Sequence, residues 1–297
     1  MKRINSLTTI LCVMTLILWS GTVRAQTLLY QWTFNNGNGT PDVTAGGGNL
    51  SINTLTGTGS NLGFSSSAGP GIDGANGALT VSGGGYNGGN TSLAIASDLS
   101  GLGTMSQISI GFWFDVGASV SGQFPRFVQV GAASTYDGGG KPATANEYNG
   151  IGTSINGWSS GIATTLQNGV GNATTSQDPQ FGPTSIAANT WYYELVTYDG
   201  TLTANNFSTY VGTSPSSLAL VQTVTANYGS INFGSSATVM LADDNYTGAP
   251  RALNTGSIAD VEIWSGIESI PEPGTLTLAG LGAVGLLAML RRRQVCN

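Results

Sequence analysis

Between Ile108 and Val116 the residues Ile108, Ile110, Phe112, Phe114 and Val116 alternate with Ser109, Gly111, Trp113 and Asp115. A period of two puts each set on its own side of an extended chain, so this segment is a strand with one strongly apolar face to bury. Runs of similar character recur at 30–34, 127–130, 150–155, 162–166, 191–198, 207–211, 218–224, 239–241 and 258–264. Turn-forming pairs separate them, among them Asn149-Gly150, Asn156-Gly157 and Asp199-Gly200. No run in this part of the chain is both long and helically periodic. Short strands of this kind, about ten or more with no fixed-period repeat, predict a single all-β domain, a two-sheet antiparallel β-sandwich. Along 258–264 the alternation assigns Ala259, Val261 and Ile263 to the core and Asp260, Glu262 and Trp264 to a solvated face.

Composition narrows the partners. Of the 9 Lys and Arg, six lie near the ends (Lys2, Arg3, Arg24, Arg291, Arg292, Arg293), which leaves Arg126, Lys141 and Arg251 for residues 26–270. Only Glu272 of the 15 acids lies outside that body. The body is therefore strongly acidic, and nucleic acid, whose phosphates need a basic surface, is excluded as a partner. Charges this sparse leave a surface of Ser, Thr, Asn, Gln and Gly, which suits sugars, cations or matrix polymers better than polyanions. Glycine, at 45 residues, supplies the turns of a many-stranded fold.

The two ends carry an address. Lys2 and Arg3 precede an apolar stretch from Leu7 to Trp19, and Val23-Arg24-Ala25 offers the small residues that signal peptidase requires before Gln26. Cleavage between Ala25 and Gln26 is expected, making 1–25 a signal peptide. At the other end Pro271-Glu272-Pro273-Gly274 leads into an uncharged run from Thr275 to Leu290, followed by Arg291-Arg292-Arg293. As a helix that run spans about 24 Å, a little short of a hydrocarbon core of about 30 Å, and flanking arginines that snorkel make up the difference. The arginine cluster belongs on the cytoplasmic side, so everything before Pro271 lies outside. Cys12 falls in the signal and Cys296 beyond the arginines, so the exported body has no thiol or disulfide chemistry.

The order Pro-Glu-Pro, apolar helix, arginine cluster resembles the PEP-CTERM protein-sorting signal of Gram-negative bacteria, over Ile270 to Arg293. That resemblance implies recognition by an exosortase-type membrane enzyme, a cut near Pro271-Glu272-Pro273, and a route from an inner-membrane intermediate to the cell surface or extracellular matrix. The chain then divides into signal 1–25, body 26–270 and sorting signal 271–297. An ordinary C-terminal anchor that is never cut is the alternative. Within the body, NTWYYELVTYDG (Asn189 to Gly200) followed by FSTYVG, the closing pair LADDNYTG and SIADVEIWSG, the opening YQWTFNNG and the strand ISIGFWFDV are similar to the laminin-G-like, concanavalin A-like jelly roll. The resemblance spans Leu28 to Glu268 and implies the same sandwich.

Chemistry is thinly marked. Laminarinase-type hydrolases on that jelly roll carry two catalytic carboxylates in E-x-D-x-x-E, and this chain has no such motif; Asp260-Val261-Glu262 comes nearest but lacks the third acid. With no His in the chain and no Cys in the body, serine and cysteine triads lack their base and ordinary zinc sites their usual ligands. Asp243, Asp244 and Asn245 offer the hard oxygen ligands that calcium takes, or else form a polar turn. Trp158, Tyr148 and Tyr246 are the loop aromatics able to stack on pyranose faces, whereas Trp32, Trp113 and Trp191 sit in strands and read as core or sheet-face residues. The reading that follows is a non-catalytic surface protein that binds extracellular polysaccharide or matrix. A structural envelope protein without a specific ligand is the alternative, and a glycoside hydrolase comes third.

Overall fold

A computed structural model describes residues 26–56, 59–83, 91–118, 125–132, 150–156, 165–172, 175–177, 186–235, 237–243 and 252–268. The described strands are β1 (Thr27–Trp32), β2 (Val43–Thr44), β3 (Ser51–Thr56), β4 (Leu62–Ser65), β5 (Ala78–Ser82), β6 (Thr91–Leu99), β7 (Gly103–Met105), β8 (Gln107–Asp115) and β9 (Arg126–Ala132). They continue as β10 (Gly150–Asn156), β11 (Thr165–Asn172), β12 (Thr175–Gln177), β13 (Tyr192–Asp199), β14 (Phe207–Gly212), β15 (Ala219–Val224), β16 (Ile231–Gly234), β17 (Ala237–Leu241) and β18 (Thr255–Ser265). The helix among these residues is one 3-10 turn, Pro215–Ser217.

All pairings are antiparallel. One sheet of nine strands runs β15-β14-β13-β8-β18-β1-β2, with β5 joined to β18 and β4 to β5. A second, of seven strands, runs β12-β11-β10-β9-β17-β6-β3, and β16 pairs with β7 in a separate ribbon. The protein is the two-sheet antiparallel sandwich that the alternation predicts and the concanavalin A-like resemblance implies.

The core lies between the sheets. From the nine-stranded sheet come Tyr30 and Trp32 of β1, Ile108, Ile110, Phe112 and Phe114 of β8, and Val196 and Tyr198 of β13. From the seven-stranded sheet come Val128 and Val130 of β9, Ile151 and Ile155 of β10, and Leu166 and Val170 of β11. The rings of Phe114 and Phe127 meet across the layers with centroids 4.6 Å apart. The alternation of β8 is therefore observed as read, with Trp113 on the outward side.

Three readings need correction. The stretch 35–107, in which the sequence marks no strand, contains β2 to β7. These strands are rich in Ser, Thr, Asn and Ala, and their apolar runs are too short to stand out; they form because neighbouring strands offer paired backbone groups. On β18 the single alternation breaks. Between the Ala259–Trp113 and Glu262–Gly111 pairs, β18 carries two residues where β8 carries one, and Asp260 takes φ 44°. This bulge turns Ala259 to the outward cluster, while Val261 and Ile263 stay in the core. Trp191 lies one residue ahead of β13 rather than within it.

Candidate functional site

The outward face of the nine-stranded sheet carries chemistry that an inert sheet face lacks. Four strands meet there in register: Leu195 of β13 lies opposite Gly111 of β8, Gly111 opposite Glu262 of β18, and Glu262 opposite Gln31 of β1. Because Gly111 has no side chain, a gap opens in this row. The Tyr193 hydroxyl and the Trp264 ring occupy it, and a Cβ at position 111 would collide with both. Through that gap Tyr193 OH donates to Glu262 Oε2 at 3.1 Å. From the other side Gln31 Nε2 donates to Glu262 Oε1 at 3.0 Å and to Asp260 Oδ1 at 2.8 Å.

The bulge makes this cluster possible. Asp260 and Glu262 both project outward toward Gln31, and Asp260, only 9% exposed, is far from solvated. The wet face expected for Asp260, Glu262 and Trp264 is thus a half-sheltered one. Burial pushes the Glu262 carboxyl up to about 8, with the Asp260 charge adding to the rise and the Tyr193 hydrogen bond opposing it. Burial also raises Asp260, against the Gln31 hydrogen bond, with Asp42 and Asp73 adding to the rise. Tyr193 is raised well above the ordinary phenol by burial and then by Glu262. The chain after β18 is pinned to the same face: Ser109 Oγ donates to the Gly266 carbonyl at 2.9 Å and accepts from the Glu268 N–H at 2.8 Å. Glu268 is itself raised by burial.

Around the carboxyl pair stands an aromatic group. Trp113 packs edge-on against Tyr193 with centroids 5.5 Å apart, and Trp191, Tyr210, Leu218 and Trp264 pack partly buried against the same cluster. Flat rings beside groups that both donate and accept hydrogen bonds are what a pyranose requires, since its faces stack and its edges carry hydroxyls. Sequence reasoning singled out Asp260, Glu262 and Trp264 but missed Gln31, Tyr193 and Gly111. The alternation of β1 and β8 does place Gln31 and Gly111 on outward faces; their convergence on Glu262 depends on strand order.

The other residues expected to act are distributed differently. Trp158, Tyr148 and Tyr246 lie outside the described residues, as do Asp244, Asn245, Ala25, Pro271, Glu272, Pro273, Arg291, Arg292 and Arg293. Gln26 is described, directly ahead of β1. Asp243 follows β17 with its side chain fully buried, so that residue is no solvated turn. Among the described residues no group of three or more acidic, His or Cys side chains is placed to hold a metal ion, and none of their helices is long and apolar enough to cross a membrane. The expected membrane segment lies in 275–290, outside them.

Residues 269–293 match the family model of the PEP-CTERM protein-sorting motif. The chain thus carries the signal of an exported, surface-sorted protein of Gram-negative bacteria. No curated protein matches the sequence. Among solved structures, the native heptameric SAP-like pentraxin from Limulus polyphemus is 18% identical, with 57% of this chain and 68% of that one covered and a TM-score of 0.38. The binding domain of botulinum neurotoxin DC in complex with rat synaptotagmin II is 14% identical, with 78% and 47% covered and a TM-score of 0.44. The binding domain of botulinum neurotoxin serotype D/C VPI 5993 is 12% identical, with 85% and 52% covered and a TM-score of 0.44. The chain spans about half the length of these two toxin domains. Likenesses this slight carry no ligand over.

Proposed function

We propose that this chain is a non-catalytic binding protein of the cell surface whose outward sheet face engages extracellular polysaccharide. The observation that supports it best is the Tyr193, Glu262, Asp260 and Gln31 hydrogen-bond cluster beside Trp264. Carboxyl groups that exchange hydrogen bonds, with no nearby described base to pair with a sugar's own carboxylate, favour neutral sugars over uronic acids. Trp264→Ala should weaken binding on a glycan array at least tenfold, about 1.4 kcal/mol, at a temperature where circular dichroism shows wild type and variant equally folded. Equal binding by wild type and variant would remove this face from the reading. The loop aromatics Trp158, Tyr148 and Tyr246 belong to the same proposal as a second platform, and Trp158→Ala is the matching variant. Failure of every sugar to bind would favour the structural envelope protein instead.

Processing is part of the proposal. Signal peptidase is to leave Gln26 as the first residue, and an exosortase-type enzyme is to cut near Pro271-Glu272-Pro273. Replacing Pro271 and Pro273 with Ala should leave a full-length species in the inner membrane. Identical maturation of variant and wild type would make the segment a plain anchor. Calcium at Asp243, Asp244 and Asn245 is the remaining element. A cation that binds only the folded state would add about 2.7 kcal/mol of stability at a hundredfold excess over Kd, so melting curves with calcium and with chelator should separate in wild type and coincide in Asp244→Asn. Coincidence in wild type would dismiss the metal.

A further inference from the structure

Deep between the two sheets lies a polar group that the surface site does not use. Glu194 of β13 and Thr209 of β14 belong to the nine-stranded sheet, and Asn168 of β11 belongs to the seven-stranded one. The three are 0%, 3% and 1% exposed respectively. Asn168 Nδ2 donates to Glu194 Oε1 at 2.6 Å and to Thr209 Oγ1 at 2.8 Å. The other Glu194 oxygen, Oε2, and the Asn168 carbonyl oxygen, Oδ1, are buried without a hydrogen-bond partner. A buried network that is half satisfied is costly, and such a group in a native core calls for an explanation.

The geometry points to a covalent one: we propose that Thr209 Oγ1 and the side-chain carbon of Asn168 join in an intramolecular ester that ties one sheet to the other, with Glu194 moving the protons. The hydroxyl oxygen attacks Asn168 Cγ, so the Cγ–Oγ1 bond forms and the Cγ–Nδ2 bond breaks. Glu194, protonated at the outset, gives its proton to Nδ2 and takes up the hydroxyl proton in exchange, so it ends protonated as it began, and Nδ2 leaves as ammonia. Atoms balance, nothing is oxidised or reduced, and no co-reactant is needed. In water an amide does not yield to an alcohol at a useful rate. Here Asn168 is held in contact with both Glu194 and Thr209, which replaces a bimolecular encounter, and the surrounding core excludes the water that would hydrolyse the product. Burial also holds the Glu194 carboxyl protonated at neutral pH, raised to about 8, so the acid form needed at the leaving nitrogen is the resident one. After ammonia leaves, the Glu194 O–H has the ester carbonyl to donate to, and the orphaned acceptors disappear. An exported body without cysteine gains by this means the kind of cross-link that a disulfide supplies elsewhere.

The full chain is digested with trypsin after denaturation. Cuts after Arg126 and Arg251 release one peptide holding both Asn168 and Thr209, because Lys141 is followed by Pro142 and resists cleavage. That peptide is expected to be lighter than its sequence by one ammonia. Further cleavage at Asp178 and Asp199, which lie between the two residues, should leave the fragments joined until alkaline hydroxylamine parts them. Thr209→Val and Glu194→Gln should each restore the full mass. A wild-type peptide of full mass overturns the proposal. So does ammonia loss that persists in Thr209→Val with separate fragments, which would mark cyclisation of Asn168 onto Gly169. The joined wild-type fragments decide the matter without reliance on a folded variant.

Discussion

The melting temperature of the full chain is expected to fall as pH rises from about 4.5 to about 8, the interval between the ordinary glutamate value and that of Glu194 and Glu262 in the folded protein. Below this interval both carboxyls are protonated in the folded and the unfolded chain, and neither contributes. Within it the unfolded chain releases its protons while the folded chain keeps them, so each group removes about 1.4 kcal/mol of stability per pH unit. Above it both states are ionised and the loss is complete. For Glu194, which is wholly buried, the loss is on the order of 5 kcal/mol; Glu262 is partly open, and its share is smaller. Asp260 and Glu268 are raised by burial as well and act in the same direction. Glu194→Gln should remove the larger part of the slope, and Glu262→Gln the remainder. A slope identical in wild type and both variants would show that these carboxyls titrate normally in the folded chain.

Trp32→Ala is expected to cost about 3–5 kcal/mol in urea denaturation, a large share of the stability of an ordinary domain. Trp32 is fully buried, its ring stacks on Tyr30 with centroids 5.7 Å apart, and its indole N–H donates to the Gly48 carbonyl at 2.7 Å. The substitution therefore opens a cavity and leaves a buried carbonyl without its donor. Trp191→Ala, at a partly exposed position, should cost much less. A small effect at Trp32 would mean that the site relaxes around the missing ring.

Both expectations depend on which face a side chain takes, and the sequence decides that unevenly. In β8 it decides outright, because Ile108, Ile110, Phe112 and Phe114 are apolar on a side whose opposite holds Ser109 and Gly111. In β13 it does not. Tyr192, Glu194, Val196 and Tyr198 alternate with Tyr193, Leu195 and Thr197, and both sets are apolar enough to be buried. The structure turns Glu194 inward to Asn168 and Tyr193 outward to Glu262. No local preference would place an acid in the core; the apolar partners that Tyr192, Val196 and Tyr198 find across the sandwich carry Glu194 with them, since strand residues of one parity move together.

Local chemistry wrote the address, the strand periods and the turns, because each depends on neighbours a few residues away: the Pro-Glu-Pro, apolar and arginine order at the C-terminus, the alternation of β8, the Asp199-Gly200 turn. Tertiary structure decided the bulge at Asp260, the approach of Gln31 and Tyr193 to Glu262, and the meeting of Asn168 with Thr209. Each of these joins residues on different strands, Gln31 and Glu262 being 231 positions apart. Such pairings are fixed by strand order and by the packing of two sheets, and neither leaves a local trace in the chain.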